Sequence, residues 1–406
     1  MPWASSSATS APAAKPAPGA GVINDWSETA VAVVQTDAKR PGAEQALWYG
    51  FTGAAVYNAV VGIEGRYAEY EWHVSGPRHA SSEAAAAAAA HRILLTYFPG
   101  SQARVDAAFA ASLAKIPDGK AEDEGVAFGE RAAARIVRLR ENDGRGAPIT
   151  FDKPPAPGVW RPTPPANAPM VDPWLAKVRP MLLDSPDQFR PGPPPKLTSK
   201  TYTKDFNEVK AMGARSGSSR TDAQTDTARF FSDVLPVQFQ AALRSYTQRH
   251  GLDIVEAARL SAATWTATAD AQITAWNTKL TYGQWRPITA IQLADTDGNP
   301  ATTPDPSWLP LIDTPAYPDY MSGHCTFDGA AMAVLSGLTG GDIDLRVSSA
   351  VTGTTRTYAS ARDYNQDVIN ARVWDGIHFR TSDIVADHVG THIGAFALGH
   401  YFEPLK

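Results

Sequence analysis

Three short motifs in the C-terminal third of this 406-residue chain hold the residues best suited to do chemistry together. They are KLTYGQWRP at residues 279–287, SGH at residues 322–324 and RVWDGIH at residues 372–378. The first and third supply a lysine and two arginines, whose N–H groups bind oxyanions well. The second and third each supply a histidine, which can exchange a proton near neutral pH. The set predicts a pocket for a tetrahedral oxyanion such as phosphate or vanadate.

The second motif precedes the apolar run 330–338, which predicts that Ser322, Gly323 and His324 begin a helix. The free amides and the dipole at a helix N-terminus attract negative charge, and a glycine lets an anion approach the backbone closely. Taken alone, the tripeptide is better explained by an ordinary helix cap followed by a half-buried histidine. Each lysine or arginine alone is explained by a solvated surface charge. The occurrence of all three motifs in one chain favours the oxyanion pocket.

Together the motifs resemble the active-site signature of the vanadium-dependent haloperoxidases and the related type 2 phosphatidic acid phosphatases. In that signature Lys-x6-Arg-Pro, Ser-Gly-His and Arg-x3-Gly-x-His follow one another. This chain matches it with Lys279/Arg286/Pro287, Ser322/Gly323/His324 and Arg372/Gly376/His378. The resemblance covers residues 22–402, including the segment WRPTPP at 160–165, and is to bacterial members of the haloperoxidase branch.

The resemblance implies vanadate as the cofactor, in a site that phosphate can also occupy. His378 would be the metal ligand, binding vanadium axially, and His324 the acid–base group for hydrogen peroxide. Lys279 would polarise the peroxide. The vanadate oxygens would be held by Lys279, Arg286, Ser322, the Gly323 amide and Arg372. Trp276 and Tyr317 lie where related enzymes place aromatic residues around the halide, although core packing accounts for them equally well.

The implied activity is oxidation of bromide, with chloride left open, by hydrogen peroxide to hypohalous acid or an equivalent that halogenates an organic small molecule. An acid phosphatase would use the same pocket with His378 as nucleophile. A catalytically silent oxyanion-binding protein is a third hypothesis, because Met321 and Ala371 stand where the family has Pro and Ser. A family member dedicated to one organic substrate is a fourth.

A helical scaffold must position these motifs. Apolar residues at three- and four-residue steps predict helices over residues 25–37, 42–64, 102–115, 120–141, 203–214, 221–232, 235–249 and 252–279, with one more after Ser82 and a last one through about residue 400. Runs of alternating β-branched residues are scarce. The sequence therefore predicts an all-α protein of helix-bundle type.

The domain prediction is a single all-α unit over residues 22–406, with an N-terminal helical half (22–147), a connector (148–199) and a catalytic half (200–406). Residues 1–21, rich in Ala, Ser and Pro, are predicted to be a disordered tail. The connector holds 15 of the 32 prolines, which predicts irregular backbone. It also holds large aromatic residues, so we expect it to wrap across the bundle.

Composition limits the other partners. With 37 basic and 42 acidic residues the net charge is −5, and a nucleic-acid partner is not expected. A single Cys excludes an internal disulfide framework. No apolar stretch suggests a membrane helix, so no membrane partner is expected, and homo-oligomerisation is left open. The tail is of the kind that follows a signal segment, which favours export, although a cytoplasmic location stays open.

Overall fold

The structure, a computed structural model, describes residues 17–405, and within them the backbone is mainly helical. The α-helices are α1 (Gly21–Val31), α2 (Gly42–Glu64), α3 (Ser82–Tyr97), α4 (Gln102–Leu113), α5 (Lys120–Leu139), α6 (Lys200–Met212), α7 (Asp222–Phe230), α8 (Leu235–Arg249), α9 (Ile254–Tyr282), α10 (Pro287–Gln292), α11 (Gly323–Thr339), α12 (Ala361–Trp374) and α13 (Arg380–His400). A π-helical turn, Ala32–Asp37, extends α1, and short 3-10 turns lie at Pro99–Ser101, Pro173–Lys177 and Ala294–Thr296. The all-α prediction is confirmed.

Helix α9 forms the centre of the fold. It packs against α2 on one side and against α11 and α13 on the other, and its residues are buried on nearly every face. Small residues permit this close approach: a Cβ atom placed on Gly53 of α2 would lie 3.3 Å from the Cα atom of Ala262. Asp253 caps the first turn by accepting the amides of Val255 and Glu256, and Gly283 ends the helix at φ +64°. The site lies beside this C-terminal end.

The proline-rich connector packs against the helices. Trp160 is buried, as are Met181, Leu182 and Leu183. The buried carboxylate of Asp270, in the middle of α9, accepts the backbone N–H groups of these last three residues at 2.6, 2.7 and 3.0 Å. Because these amides cannot pair in a helix or sheet, a single side chain satisfies them and fixes the connector to the central helix.

One hairpin interrupts the helical pattern within the described residues. Strands β1 (Leu345–Ser349) and β2 (Thr354–Tyr358) pair antiparallel, with Leu345 opposite Tyr358 and Ser349 opposite Thr354. Side chains of β1 alternate between buried and exposed. This alternation was too short to be recognised in the sequence. The hairpin follows α11, and its turn reaches the loop between α7 and α8, where Asp233 accepts the amide of Ala350.

The first residues that the structure describes meet α9 directly. The carbonyl oxygen of Pro18 accepts the N–H of Ile254 at 2.7 Å, and Gly19 forms a bridge with Asp253. Residues 17–21 of the predicted tail therefore belong to the fold, and α1 begins at Gly21, before its predicted start at residue 25. Residues 1–16 lie outside the described residues, as does residue 406.

In the described part of the chain, α2 has the length and apolar composition to cross a membrane. The apolar part of α2 is, however, entirely buried within the protein, where it packs against α9, α3 and α5. The sequence analysis did not single out this helix as a membrane candidate, since its apolar stretch contains small and polar residues.

Candidate active site

The three motifs come together at the C-terminal end of α9. Lys279 is in the last turn of that helix, and Arg286 immediately precedes α10. Ser322, Gly323 and His324 form the start of α11, Arg372 is in the last turn of α12, and His378 lies between α12 and α13. Apart from His324, which is half-buried, these residues are buried. The structure thus brings together every predicted oxyanion-binding residue.

Lys279 and Arg286 are held by backbone carbonyl groups. The Nζ atom of Lys279 donates to the carbonyl oxygens of Pro318 and Asp319 at 2.8 and 2.9 Å. The Nε atom of Arg286 donates to the carbonyl oxygen of Tyr317 at 2.7 Å, and its Nη1 atom donates to that of Ile377 at 2.6 Å. Burial lowers the pKa of Lys279 well below its usual value, and the nearby Arg286 lowers it further.

His378 lies between a carboxylate and a guanidinium group. Its Nδ1 atom is 2.8 Å from Oδ1 of Asp319, and its Nε2 atom is 3.1 Å from Nη1 of Arg286. All three side chains are buried. Burial, and next the charge of Arg286, hold the pKa of His378 well below its usual value, so the imidazole is neutral and can present a nitrogen lone pair.

Glycine is required in the third motif. Gly376 has φ +80°, and a Cβ atom there would lie 2.5 Å from the carbonyl oxygen of Gly213. Only glycine fits both the left-handed backbone and this close approach. The turn it makes carries the chain from Arg372 at the end of α12 to His378.

Arg372 is fixed by Asp375, one turn further along, with 2.6 Å between Nη2 and Oδ2. Its Nη2 atom also donates to the carbonyl oxygen of Phe231, in the loop that leads into α8. Burial raises the pKa of Asp375 to about 7, and Arg372 opposes this rise. Arg372 therefore connects the site to the loop at residues 231–235.

The start of α11 packs closely on α9. A Cβ atom on Gly323 would lie 3.0 Å from a ring carbon of Trp276, and the carbonyl oxygen of Gly323 accepts Nε2 of Gln272 at 2.9 Å. The Ser322 side chain does not cap the helix. Burial lowers the pKa of His324 well below its usual value, and the charges of Arg372, Arg286 and Lys279 lower it further.

Among the predicted anion-binding and acid–base residues, four buried polar atoms have no hydrogen-bond partner within residues 17–405. They are Arg286 Nη2, Ser322 Oγ, His324 Nε2 and Arg372 Nε. Buried polar groups are rarely left unsatisfied, and such a group marks a place where a ligand or water completes the network. A cluster of N–H and O–H groups beside a neutral imidazole fits an oxyanion whose central atom accepts a nitrogen ligand. The residues present therefore fit vanadate, and they fit phosphate through the same donors.

The two aromatic candidates form one wall beside the site. The ring centroids of Trp276 and Tyr317 are 4.9 Å apart, and Nζ of Lys279 lies 4.9 Å from the Tyr317 ring. The indole N–H of Trp276 donates to the carbonyl oxygen of Val171 at 3.0 Å, so it is not free to bind a halide. Both rings line a cleft of about 190 Å³ that Gly323 and His324 also line.

Sequence reasoning missed two carboxylates that the structure places in the site. Asp319 contacts His378, and Asp375 contacts Arg372. Asp383, the first carboxylate after His378 in the sequence, lies 3.5 Å from Sγ of Cys325. Asp319 stands five residues before His324, and no spacing rule links it to a histidine 59 residues later. Of these two carboxylates, only Asp375 could have been linked to the site from the sequence, because it lies inside the third motif.

Comparisons with known proteins identify similar folds. Residues 259–406 match the family model of the VCPO second helical-bundle domain. The fold is similar to the crystal structure of a bacterial vanadium-dependent iodoperoxidase, with a TM-score of 0.82 and 22% identity over 97% of this chain and 99% of the other. It is also similar to a holo-type bacterial vanadium-dependent chloroperoxidase, with a TM-score of 0.69 and 17% identity over 90% and 93% of the two chains. No curated protein matches the sequence.

Proposed function

We propose that this chain, which has the vanadium haloperoxidase fold and carries the VCPO second helical-bundle domain over residues 259–406, is a vanadate-dependent haloperoxidase. It would oxidise halide with hydrogen peroxide and so halogenate organic molecules. The observation that carries the proposal is a set of buried polar atoms, from three motifs that meet near His378, for which residues 17–405 supply no hydrogen-bond partner.

In this proposal His378 would hold vanadium through Nε2, because Asp319 occupies the Nδ1 side of the ring. The oxygens of vanadate would be held by Lys279, Arg286, Ser322, the Gly323 amide and Arg372. When bound, vanadate supplies an electrophilic centre that activates peroxide. The remaining chemistry is electrostatic, and the protein provides it with preorganised donors in a site shielded from water.

His324 has the position of an acid–base group. It is half-buried, opens into the cleft and lies close to the three cations of the site. These cations disfavour its protonated form, and a bound oxyanion would offset their charge. His324 could then take a proton from an incoming peroxide and return it to the departing oxygen.

Lys279 has the position of a polarising cation. Two of its three N–H donors are bound to the carbonyl oxygens of Pro318 and Asp319. This leaves one N–H for a ligand, and it fixes the direction in which the ammonium group points. A cation held in this way stabilises negative charge that develops on a peroxide oxygen.

For the halide we propose bromide and iodide as substrates, with chloride as the most demanding candidate. A similar structure belongs to an iodoperoxidase and another to a chloroperoxidase, so the fold itself does not select the halide. Trp276 and Tyr317 form the apolar wall beside Lys279, where a weakly hydrated halide would be favoured over water.

The experiment is bromination of a chromogenic phenol by metal-free protein with peroxide and bromide, before and after addition of orthovanadate. The proposal predicts activity only after orthovanadate is added, and competitive loss of that activity with phosphate. If the metal-free protein instead hydrolyses an aryl phosphate and vanadate inhibits it, the site is a phosphatase with His378 as nucleophile. Tight vanadate binding with neither activity would identify a silent oxyanion-binding protein.

A further inference from the structure

The cleft beside His324 is larger than a halide or peroxide requires. Its volume is about 190 Å³, more than one halide ion and one peroxide molecule would fill, since a water molecule takes about 30 Å³. The end of the cleft nearest the active site is formed by Gly323 and His324, with Trp276 and Tyr317 beside them. The outer part comes from three separate segments, at residues 41–43, 171 and 233–236. We refer to this space as the acceptor cleft.

The lining of the acceptor cleft is mainly apolar. Its larger side chains are Pro41, Val171, Val234, Leu235, Pro236, Trp276, Tyr317 and Phe327. Its polar side chains are Asp233, Gln272 and His324. Gln272 is already bound to the carbonyl oxygen of Gly323. An occupant would therefore gain mostly from burying apolar surface.

The one carboxylate of the lining is fixed in place. Oδ1 of Asp233 accepts the amide of Val234 at 2.7 Å, and Oδ2 accepts the amide of Ala350 at 2.6 Å. Ala350 lies in the turn of the β1–β2 hairpin, so the hairpin holds this rim of the cleft. Val234 follows Asp233 and is 37% exposed, an apolar side chain at the opening. The rim thus carries negative charge and apolar surface, both of which disfavour an anionic occupant.

From these observations we infer that the acceptor cleft binds the organic substrate. The halogen is transferred to the substrate inside the cleft, and not by hypohalous acid that has been released into solution. The inference rests on the proposed function. The occupant class is an uncharged, largely hydrocarbon molecule with an electron-rich ring or alkene. In the net reaction halide, peroxide, one proton and R–H give R–halogen and two waters. The halide loses two electrons to peroxide, a carbon–halogen bond forms and a C–H bond breaks.

The test uses two phenols of similar ring reactivity, 4-propylphenol and 3-(4-hydroxyphenyl)propanoate, present together at equal concentration. Vanadate-loaded protein brominates the mixture with peroxide and bromide, and the product ratio is measured by chromatography. The same ratio is measured with hypobromous acid added slowly without protein. We expect the protein to favour 4-propylphenol about fivefold or more over the free reagent, because the carboxylate meets Asp233 and an apolar wall.

Two matched variants test whether the preference for the neutral phenol arises at the cleft opening. Val234→Asp adds a second carboxylate at the cleft opening and should increase the preference for the neutral phenol over the anionic one. Val74→Asp makes the same change at a valine that is 40% exposed and lies near Gly62, toward the far end of α2 from residues 41–43. This variant should give the same product ratio as the unmodified protein. Both valines are exposed, so both variants should fold.

A product ratio equal to that of free hypobromous acid would overturn the inference, as would equal ratios for the Val234→Asp and Val74→Asp proteins. Formation of triiodide from iodide and peroxide, measured without any phenol, reports halide oxidation alone. If triiodide forms but the phenol product ratio equals that of free hypobromous acid, the proposed function holds and the cleft inference fails. Absence of triiodide overturns the proposed function and the inference together.

Discussion

Oδ1 of Asp319 lies 2.8 Å from Nδ1 of His378, and both side chains are buried. With Nδ1–H donating to the carboxylate, the lone pair of Nε2 is left on the side of Arg286. A carboxylate behind a ligating histidine fixes its tautomer and its ring orientation. Asp319 therefore acts as a positioning residue for His378. Its carbonyl oxygen also accepts Lys279, so one residue aligns groups from two motifs.

We predict that Asp319→Ala weakens orthovanadate binding by about 10–100-fold, since the Nε2 lone pair is no longer held in place. Asp319→Asn keeps an oxygen that accepts the Nδ1 proton, so it should lose less vanadate affinity than Asp319→Ala. Dissociation constants from equilibrium dialysis at one pH check this order. Asp328→Asn, at a buried carboxyl group that accepts the Tyr364 hydroxyl, is the matched control and should retain affinity. Unchanged affinity in Asp319→Ala would refute the positioning role.

The two site histidines should respond differently to removal. His324→Ala should lower the rate of halide oxidation by about 10²–10⁴-fold while vanadate affinity is retained, because an acid–base group is lost but the ligand remains. His378→Ala should lower the affinity itself. Steady-state rates combined with dialysis separate the two effects. Full activity in His324→Ala contradicts the acid–base role, and wild-type affinity in His378→Ala contradicts the ligand role.

Loss of the Asp270 carboxylate should destabilise the protein through the connector. Asp270→Ala leaves three buried amides without an acceptor, and we expect the free energy of unfolding to fall by roughly 3–5 kcal/mol. Urea denaturation measures the change, and limited proteolysis should show earlier cleavage within residues 148–199. Asp295→Ala, at an exposed position near α10, is the control. Equal stability of the two variants would show that the connector is held by other contacts.

Asp328 predicts a pH dependence of stability. Burial raises the pKa of its carboxyl group from 3.8 to about 8 in the folded protein, so the folded state binds this proton more tightly than the unfolded chain does. The stabilisation is complete below about pH 4 and is lost as the pH rises through 8. Asp328→Asn cannot titrate. The melting temperature of the variant relative to the unmodified protein should therefore increase between pH 5 and pH 8.5, and a constant difference would contradict the shift.

The sequence identified the motifs but not the contacts that hold them. Lys279, Arg286 and Arg372 could be singled out because their spacing matches a known signature. Their partners could not, since Lys279 and Arg286 bind backbone carbonyl groups that any residue type would supply. Asp319 was missed because its contact with His378 depends on how α9, α11 and α13 pack.

Much of the fold could also be predicted from local pattern. Helix α2 was predicted with its observed bounds, Gly42–Glu64, because apolar residues recur along all of it. Strands β1 and β2 were not predicted, since five-residue strands carry little periodic signal and the hairpin is stabilised by contact with α8 and Asp233. That the connector wraps the bundle followed from its aromatic residues. Its attachment to Asp270 did not, because an aspartate within a helix gives no sign of its partners.

The order in which carbonyl partners reach Lys279 and Arg286 has a consequence for synthesis of the protein. The acceptors of both cations come later in the chain, at residues 317–319 and 377. A nascent chain emerging from the ribosome must therefore keep these charges hydrated until nearly all of it has been made, because a buried cation without partners is strongly unfavourable. Domains of this size can fold during translation, but this pocket can close only near the end of it. A chain cut short before residue 377 would thus lose the pocket as a whole rather than one side of it.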